Sequence, residues 1–346
     1  GRIPSPGATL SAGDAGTAAR FLTALVCLGR GRFVVDGSPR MRQRPIQPLV
    51  DALRQLGVEV RYLEVRGCPP VEILAEGLKG GRVQVRGEKS SQFLSALLLV
   101  AAKASSPLRL EPDGVLSSNP YLKLTAQVME AFGVRPTEVD PLAFEVEAPR
   151  EFAGREIQIE GDYSSAGYFF AAAAITGGRV RVGNLREGSA QADREILGAL
   201  AEMGCQVAFG AGGWTVTGSQ LEPLRRDLSG MPDAAPTLAV TAVFARGKSV
   251  LTGLSTLRLK ESDRVSALAK ELSRLGAEVA EGPDFLEISP RPLRGVSVET
   301  YGDHRMAMSL ALAGLRVPGV AIRNPECVSK SFPGFWQEFS RLEHPS

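Results

Sequence analysis

Carboxylates and basic side chains alternate over residues 258–264, directly before a helix-like apolar pattern. The segment reads RLKESDR and contains Lys260, Glu261 and Arg264. Lys260 and Arg264 are spaced i to i+4, so they project on neighbouring faces of a helix start. A solvated, capped helix start would have the same composition, and the segment alone does not decide between the two interpretations.

A second charged segment, YGDHRMAMSLAL, places His304 between Asp303 and Arg305 at the start of an apolar helix pattern. Charges at such a position are costly unless they are paired or face a cleft. A satisfied capping cluster is the structural alternative. Asp233, in MPDAAP, also opens an apolar helix. Positioned groups of these types exchange protons with substrates, so the candidate acid–base residues are Asp233, Glu261 and His304.

Anion recognition is the chemistry indicated by the remaining motifs. Arg40, Arg42 and Arg44 share the loop 38–45, and guanidinium groups match carboxylates and phosphates in geometry. Ser90 and Ser91 precede the helix pattern QFLSALLL, where hydroxyl and free N–H groups can hold an anion. A hydrated arginine loop and an ordinary serine N-cap are the structural alternatives.

Composition excludes several function classes. The 346 residues carry a net charge of only +2, which argues against broad nucleic-acid binding. No apolar run approaches the roughly 20 residues that cross a bilayer, and no signal peptide opens the sequence. The four cysteines are widely spaced and no His, Cys and carboxylate set has metal-ligand spacing. We therefore expect a cytoplasmic enzyme without cofactor or metal.

Repeated phrases indicate how these segments are positioned. An amphipathic stretch ending in Leu, Phe or Met and then Gly recurs at Gly57, Gly133, Gly204 and Gly276. Repetition at a fixed interval, here about 70 residues, marks a chain built from one structural unit. Each glycine suits the left-handed position that ends a helix.

A second repeated phrase places a polar cluster before a helix rich in small apolar residues. Such helices are apolar nearly all round, which predicts that they are buried. Strand-like runs follow them, for example RFVVDG, RVRVGN and KSVLTG. A domain boundary is expected near residues 158–162, after the strand-like REIQIEG, giving domains 1–160 and 161–346. The clusters begin at Gly13, Gly87, Gly161, Met231 and Tyr301.

Seven segments, taken in order, resemble the 5-enolpyruvylshikimate-3-phosphate synthase family, and the resemblance extends from about Gly13 to Phe335. The segments are DAGTAAR, PRMRQRP, KSSQF, SNPY, MPDAA, RLKESDR and DHRMAM. The resemblance implies a two-domain inside-out α/β barrel of repeated βαβαββ units. It implies transfer of the enolpyruvyl group of phosphoenolpyruvate to the 5-hydroxyl of shikimate 3-phosphate, releasing phosphate on the route to chorismate and aromatic amino acids. A monomer that binds these two small molecules is expected, in a family that is the target of glyphosate.

The resemblance also implies roles for individual residues. Asp233 matches the carboxylate at the attacking hydroxyl, and Glu261 matches the group that moves a proton at the methylene carbon. His304, the third candidate acid–base residue, lies close to the phosphoenolpyruvate pocket. Positions that match shikimate 3-phosphate contacts are Ser90, Ser91, Gln92, Ser118, Tyr121, Asp233 and Lys260. Positions that match or adjoin the phosphoenolpyruvate pocket are Gly16, Thr17, Arg20, Arg44, Gln92, Arg264, Arg305 and Lys330.

Two alternatives remain at this stage. Family members usually begin with another segment bearing a Gly-Ser-Lys-Ser signature, and only five of six helix-opening clusters are visible, so we expect that first unit to be absent. The chain would then be a truncated, non-catalytic homologue that at most binds shikimate 3-phosphate. A related transferase acting on a UDP-sugar would carry a cysteine in the loop equivalent to 38–45, and this loop has none.

Overall fold

Strands and helices alternate along the chain in the order that the repeated phrases predict. The computed structural model describes residues 3, 6–87, 90–114, 119–140 and 143–342. Two units emerge from the pattern of contacts, Gly1–Ile157 (unit 1) and Gln158–Ser346 (unit 2). Each unit is a mixed α/β structure.

Unit 1 contains two copies of one strand–helix–strand–helix–strand–strand module. Each copy forms a four-stranded sheet with one parallel and two antiparallel neighbours, in the orders β1-β2-β4-β3 and β5-β6-β8-β7. The strands are β1 Gly7–Ser11, β2 Arg30–Asp36, β3 Glu59–Tyr62, β4 Val71–Glu76, β5 Gly81–Arg86, β6 Leu108–Asp113, β7 Thr137–Asp140 and β8 Ala143–Val146. The helices are α1 Gly16–Val26, α2 Gln47–Gln55, α3 Gln92–Ala101 and α4 Asn119–Ala131.

Unit 2 contains a third sheet of the same type, β12-β13-β15-β14, with smaller sheets β10-β11-β9 and β16-β17. Its strands are β9 Arg179–Gly183, β10 Gln206–Gly210, β11 Gly213–Thr217, β12 Arg225–Asp227, β13 Ser249–Thr252, β14 Glu278–Glu281, β15 Phe285–Ser289, β16 Ser297–Val298 and β17 Ala321–Ile322. Its α-helices are α5 Tyr163–Thr176, α6 Ile196–Glu202, α7 Ala235–Ala242, α8 Arg264–Leu275, α9 His304–Ala311 and α10 Phe335–Ser340. Short 3-10 helices cover Ala192–Glu195, Pro232–Ala234, Ser255–Leu259, Leu312–Leu315 and Pro325–Lys330.

Helices rich in small residues form the interior of each unit. In unit 1, α1 packs against α3, and in unit 2, α7 packs against both α5 and α9. Every residue of α7 is buried. Alanine and serine side chains allow such close helix packing, and an all-round apolar helix is stable only when its whole surface is covered. The predicted burial of these helices is therefore confirmed.

Glycines end the amphipathic helices as the repeated phrase predicts. Gly57, Gly133, Gly204 and Gly276 have φ values of 81°, 87°, 95° and 116°. A side chain at positive φ meets the backbone, so glycine is favoured at this left-handed position. These residues turn the chain from the second helix of each module into the next strand.

The predicted strand REIQIEG is wrong. Residues 151–162 form no strand, and Ile159 is 81% exposed. Its last residues contact the chain just after β9 through isolated hydrogen bonds, among them Gly161 N–H to Asn184 O at 2.7 Å. Alternating apolar residues favour a strand, but a strand also needs a continuous ladder, which is missing here. Over the described part of the chain, no helix is both long and apolar enough to cross a bilayer.

Candidate active site

One arginine joins the two charged segments of unit 2. Arg264, the first residue of α8, has a side chain that is only 1% exposed. Its Nε lies 2.8 Å from Asp303 Oδ2, its Nη1 3.0 Å from Asp233 Oδ1 and its Nη2 2.9 Å from Glu261 Oε2. Burial of a guanidinium is costly unless carboxylates compensate it, and these three carboxylates do so. We call Asp233, Glu261, Arg264, Asp303 and Arg305 the carboxylate–arginine cluster.

Asp303 supports this cluster from the start of α9. Its carboxylate accepts a hydrogen bond from the backbone N–H of Arg305 at 3.0 Å, which caps the helix, while it also binds Arg264 and the Ser262 hydroxyl. Positive φ angles at Tyr301 and Gly302 turn the chain into this cap. The capping interpretation of the DHR segment is correct, and the cap also positions a buried arginine.

Asp233 lies among three cations. Its Oδ2 is 3.1 Å from Arg305 Nη2, and its Oδ1 is 3.0 Å from Arg264 Nη1 and 3.5 Å from Lys260 Nζ. Burial alone would raise the pKa of the carboxyl group, but Arg305, Lys260 and Arg264 hold it well below its usual value. Asp233 is therefore ionised at neutral pH and can accept a hydrogen bond from a substrate hydroxyl.

Glu261 is held between two cations from different elements. Its Oε1 is 2.6 Å from Lys330 Nζ, and its Oε2 is 2.9 Å from Arg264 Nη2. Its side chain is 16% exposed, so the carboxylate is partly open to a ligand. Lys330 ends the 3-10 helix Pro325–Lys330, and this contact brings the last predicted residue into the same site.

His304 is the uncharged member of the site. Burial lowers its pKa to about 4, an effect that outweighs the opposing influence of Asp303. Its Nδ1 atom is 3.7 Å from Asp303 Oδ1, and this nitrogen has no hydrogen-bond partner among the described residues. A neutral imidazole can donate or accept one hydrogen bond at a substrate but does not supply a permanent charge.

Two arginines of unit 1, Arg20 and Arg44, lie against Gly16 at the start of α1. An ideal Cβ at Gly16 would lie 2.5 Å from Arg20 Nη1 and 2.7 Å from Arg44 Nη2, so both guanidinium groups lie against this residue. Arg20 Nη2 donates to Pro45 O at 2.7 Å, and Arg44 Nη1 donates to Asp14 O at 3.3 Å. Two buried cations this close repel each other, and an anion bound between them would offset that repulsion.

Polar groups from α1 and α3 border these arginines. Gln92 Nε2 donates to Thr17 Oγ1 at 3.1 Å, and the Gln92 backbone N–H donates to Ser90 Oγ at 3.2 Å. Ser91 is buried and directly precedes α3, but its side chain makes no capping hydrogen bond. Tyr121, on α4, is partly exposed.

The structure thus brings the predicted residues of unit 2 together, and in unit 1 it groups Gly16 with Arg20 and Arg44, and Thr17 with Gln92 and Ser90. Ser118 lies outside the described residues. Arg42 does not share the position of Arg44, because it binds Asp36 and Glu64, each at 2.6 Å. The roles assigned to individual residues are proposals.

Sequence reasoning missed Asp193 and Ser164. Asp193 is 3% exposed, and its Oδ2 accepts a hydrogen bond from the Ser164 hydroxyl. The sequence indicates this position only weakly. Asp193 lies three residues before the apolar Ile196, and both side chains are buried in the structure. Ser164 was visible only as part of the polar cluster before α5.

These features define an α/β enzyme whose basic groups can hold anions and whose carboxylates can exchange protons with a substrate. Among the described residues, no group of three His, Cys, Asp or Glu side chains could hold a metal ion. Comparison with known proteins identifies the family to which this enzyme belongs. The family model described as EPSP synthase (3-phosphoshikimate 1-carboxyvinyltransferase) matches residues 1–339.

Individual relatives agree with the family model. The 3-phosphoshikimate 1-carboxyvinyltransferase of Marinomonas sp. (strain MWYL1) is 42% identical over 344 residues, which cover 99% of this chain and 81% of that protein. The protein of the same name from Methanoculleus marisnigri (strain ATCC 35101 / DSM 1498 / JR1) is 45% identical, with 97% and 80% covered. A solved EPSP synthase from Acinetobacter baumannii matches the fold with a TM-score of 0.78 at 27% identity, covering 96% of this chain and 78% of that one. The chain belongs to the EPSP synthase family, and it is a carboxyvinyltransferase.

Proposed function

We propose that this chain transfers the enolpyruvyl group of phosphoenolpyruvate to the 5-hydroxyl of shikimate 3-phosphate and releases phosphate. The observation that carries the proposal is the convergence of Asp233 and Glu261 on one buried arginine, although they come from segments 28 residues apart. The reaction needs a proton at the methylene carbon and an acceptor at the attacking oxygen. Two carboxylates, each partly open to a ligand, supply these two functions at one place.

The two carboxylates divide the proton transfers. Asp233 accepts the proton of the attacking hydroxyl as the new C–O bond forms. Glu261, once protonated, gives its proton to the methylene carbon in the same addition. In the elimination that follows, the methyl group returns a proton to Glu261 and the C–O bond to phosphate breaks. The phosphate leaves with the bonding electron pair and takes up the proton held by Asp233. The C=C bond is thereby restored on the product.

Basic residues provide the affinity for both anionic substrates. Arg264, Arg305 and Lys330 are placed at the carboxylates of unit 2, and Arg20 and Arg44 are placed beneath Gly16 in unit 1. We assign these five to phosphoenolpyruvate, together with Gly16, Thr17 and Gln92. A hydrogen bond to a charged group contributes roughly 1.5–3 kcal/mol, so a few such contacts account for most of the recognition.

Polar side chains complete the proposed shikimate 3-phosphate site. Ser90, Ser91 and Tyr121 lie at the starts of α3 and α4, where free N–H groups favour a phosphate. Lys260 is placed near Asp233 and contributes a positive charge to the same ligand. The monomeric state and the cytoplasmic location remain predictions.

Phosphate release from phosphoenolpyruvate and shikimate 3-phosphate tests the proposal directly. We expect Asp233→Asn and Glu261→Gln to lower kcat about 10²–10⁴-fold, while the affinity for shikimate 3-phosphate changes much less. Glu278→Ala is the matched control, because its carboxylate is exposed and paired with Arg291 outside the site. Equal losses of binding and turnover in the two site variants would refute the acid–base roles. Absence of phosphate release by the wild-type chain would favour a non-catalytic homologue.

A further inference from the structure

A buried carboxyl group lies behind Arg305 and has no role in the reaction proposed above. Asp193, in the 3-10 helix Ala192–Glu195, is 3% exposed. Its Oδ2 accepts the Ser164 hydroxyl, whereas its Oδ1 is buried without a hydrogen-bond partner among the described residues. A carboxylate in this position is costly, because one of its charged oxygens is buried without a hydrogen-bond partner among the described residues.

Hydrogen bonds connect this carboxyl group to the carboxylate–arginine cluster. Arg305 Nη2 donates to Ser164 Oγ at 3.4 Å and to Asp233 Oδ2 at 3.1 Å. Ser164 in turn donates its only hydroxyl proton to Asp193. Arg305 therefore lies between Asp233 and the Ser164–Asp193 pair, and its charge acts on both carboxyl groups.

We propose that Asp193 is a proton-linked positioning residue that becomes protonated when an anionic substrate binds at Arg305. The inference rests on the proposed function, in which Arg305 is a phosphoenolpyruvate ligand. A bound anion adds negative charge beside two carboxyl groups. Asp233 stays ionised because Lys260 and Arg264 also face it, whereas Asp193 has a weaker set of partners and takes the proton.

The electrostatic environment of Asp193 agrees with this role. Burial raises its pKa to about 6, and Asp233 adds to the increase, while Arg305 and Ser164 oppose it. The groups facing it are Asp162, which caps α5, Ser164 from α5, Asp233 from the 3-10 helix Pro232–Ala234 and Arg305 from α9. A further anion near Arg305 raises this pKa again, so Asp193 changes its charge within the physiological range.

The sign of the coupling follows from linkage. Because the anion-bound protein holds the Asp193 proton more tightly than the free protein, anion affinity rises as pH falls toward 6. The affinity levels off below the pKa of the free protein, where Asp193 is already protonated. Each unit by which the anion raises the pKa of Asp193 corresponds to about a tenfold gain in affinity.

Sulfate is a suitable probe because it keeps its charge between pH 5.5 and 8, whereas phosphate esters titrate near pH 6. We would measure its Kd by calorimetry across this range with the full chain. In the wild type, the Kd should fall about tenfold between pH 8 and pH 5.5. Asp193→Asn keeps the shape and a hydrogen-bond acceptor but not the titration, so its Kd should be nearly constant. Ser165→Ala is the matched control, because its hydroxyl binds Asp162 and not Asp193.

A second variant separates proton linkage from a purely structural role. Ser164→Ala removes the hydrogen bond that lowers the pKa of Asp193, so the midpoint of the pH dependence should move to higher pH. The inference is overturned if Asp193→Asn retains the wild-type dependence or if Ser164→Ala leaves the midpoint unchanged. In either case the proposed function stands. If Arg305→Gln does not weaken sulfate binding, Arg305 is not an anion ligand, and both the inference and that part of the proposed function fail.

Discussion

The substitution Gly16→Ala tests whether the arginines of unit 1 bind phosphoenolpyruvate. The added Cβ would lie 2.5 Å from Arg20 Nη1 and 2.7 Å from Arg44 Nη2, whereas ordinary van der Waals contact begins at 3.4 Å. Each guanidinium must therefore move by most of an ångström. Both arginines are almost fully buried, at 3% and 7% exposure, so they can move only by weakening their present contacts.

The magnitude follows from the number of contacts disturbed. A charged hydrogen bond contributes roughly 1.5–3 kcal/mol, and a misplacement of about 1 Å can cost 10²-fold. We expect the KM for phosphoenolpyruvate to rise about 10- to 100-fold, with a much smaller change in the KM for shikimate 3-phosphate. Stability should fall only modestly, because Gly16 is the first residue of α1 and its added Cβ meets the ends of two long side chains and not the backbone.

Steady-state phosphate release with each substrate varied in turn, together with thermal unfolding, measures these quantities. Gly154→Ala is the matched control in the same unit, because nothing lies within 4 Å of its added Cβ. A folded Gly16→Ala protein with an unchanged KM for phosphoenolpyruvate would show that Arg20 and Arg44 do not bind this substrate.

Three further predictions concern unit 2. Lys330→Ala removes the cation 2.6 Å from Glu261 and should raise the KM for phosphoenolpyruvate more than that for shikimate 3-phosphate; steady-state kinetics showing equal changes would contradict this. Asp303→Asn removes a carboxylate from the buried Arg264 and should lower the free energy of unfolding in urea by about 3–5 kcal/mol, whereas a loss under about 1 kcal/mol would disprove its structural role. Because burial lowers the pKa of His304 to about 4, the unfolded chain binds that proton first and stability falls as pH drops from about 6.5 to 4. His304→Gln should remove about 1.4 kcal/mol per pH unit of this slope, measured by unfolding at several pH values; an identical slope in the variant would mean that His304 does not titrate this way.

Local features of the fold were predictable from the sequence. The helices ending at Gly57 and Gly276 were found because periodicity and a left-handed glycine are encoded within a few residues. The strand predicted at 155–161 was wrong because a strand depends on its neighbour as well as on its own alternation. The family resemblance, rather than periodicity, indicated the α/β architecture in full.

Most residues of the site were predictable from the sequence, but the contacts between them were not. Sequence motifs selected Glu261 and Arg264, but the partners of Arg264 at positions 233 and 303 are distant in the chain, and no local pattern reveals them. Asp193 was missed for the same reason. Arg42 has the residue type that suits anion binding, but its side chain pairs with Asp36 and Glu64 away from Arg44, and the sequence of the loop does not reveal this pairing.

The carboxylates around Arg264 have a consequence for selectivity. In the free protein, Asp233 and Glu261 occupy hydrogen-bonding positions on the guanidinium that an incoming anion would need. They therefore act as an internal competitor, and a ligand gains affinity only if its own negative groups bind better than those already present. An anion that contacts Arg264 alone gains little under this condition. The cluster thus favours ligands that bring several negative charges in the correct arrangement.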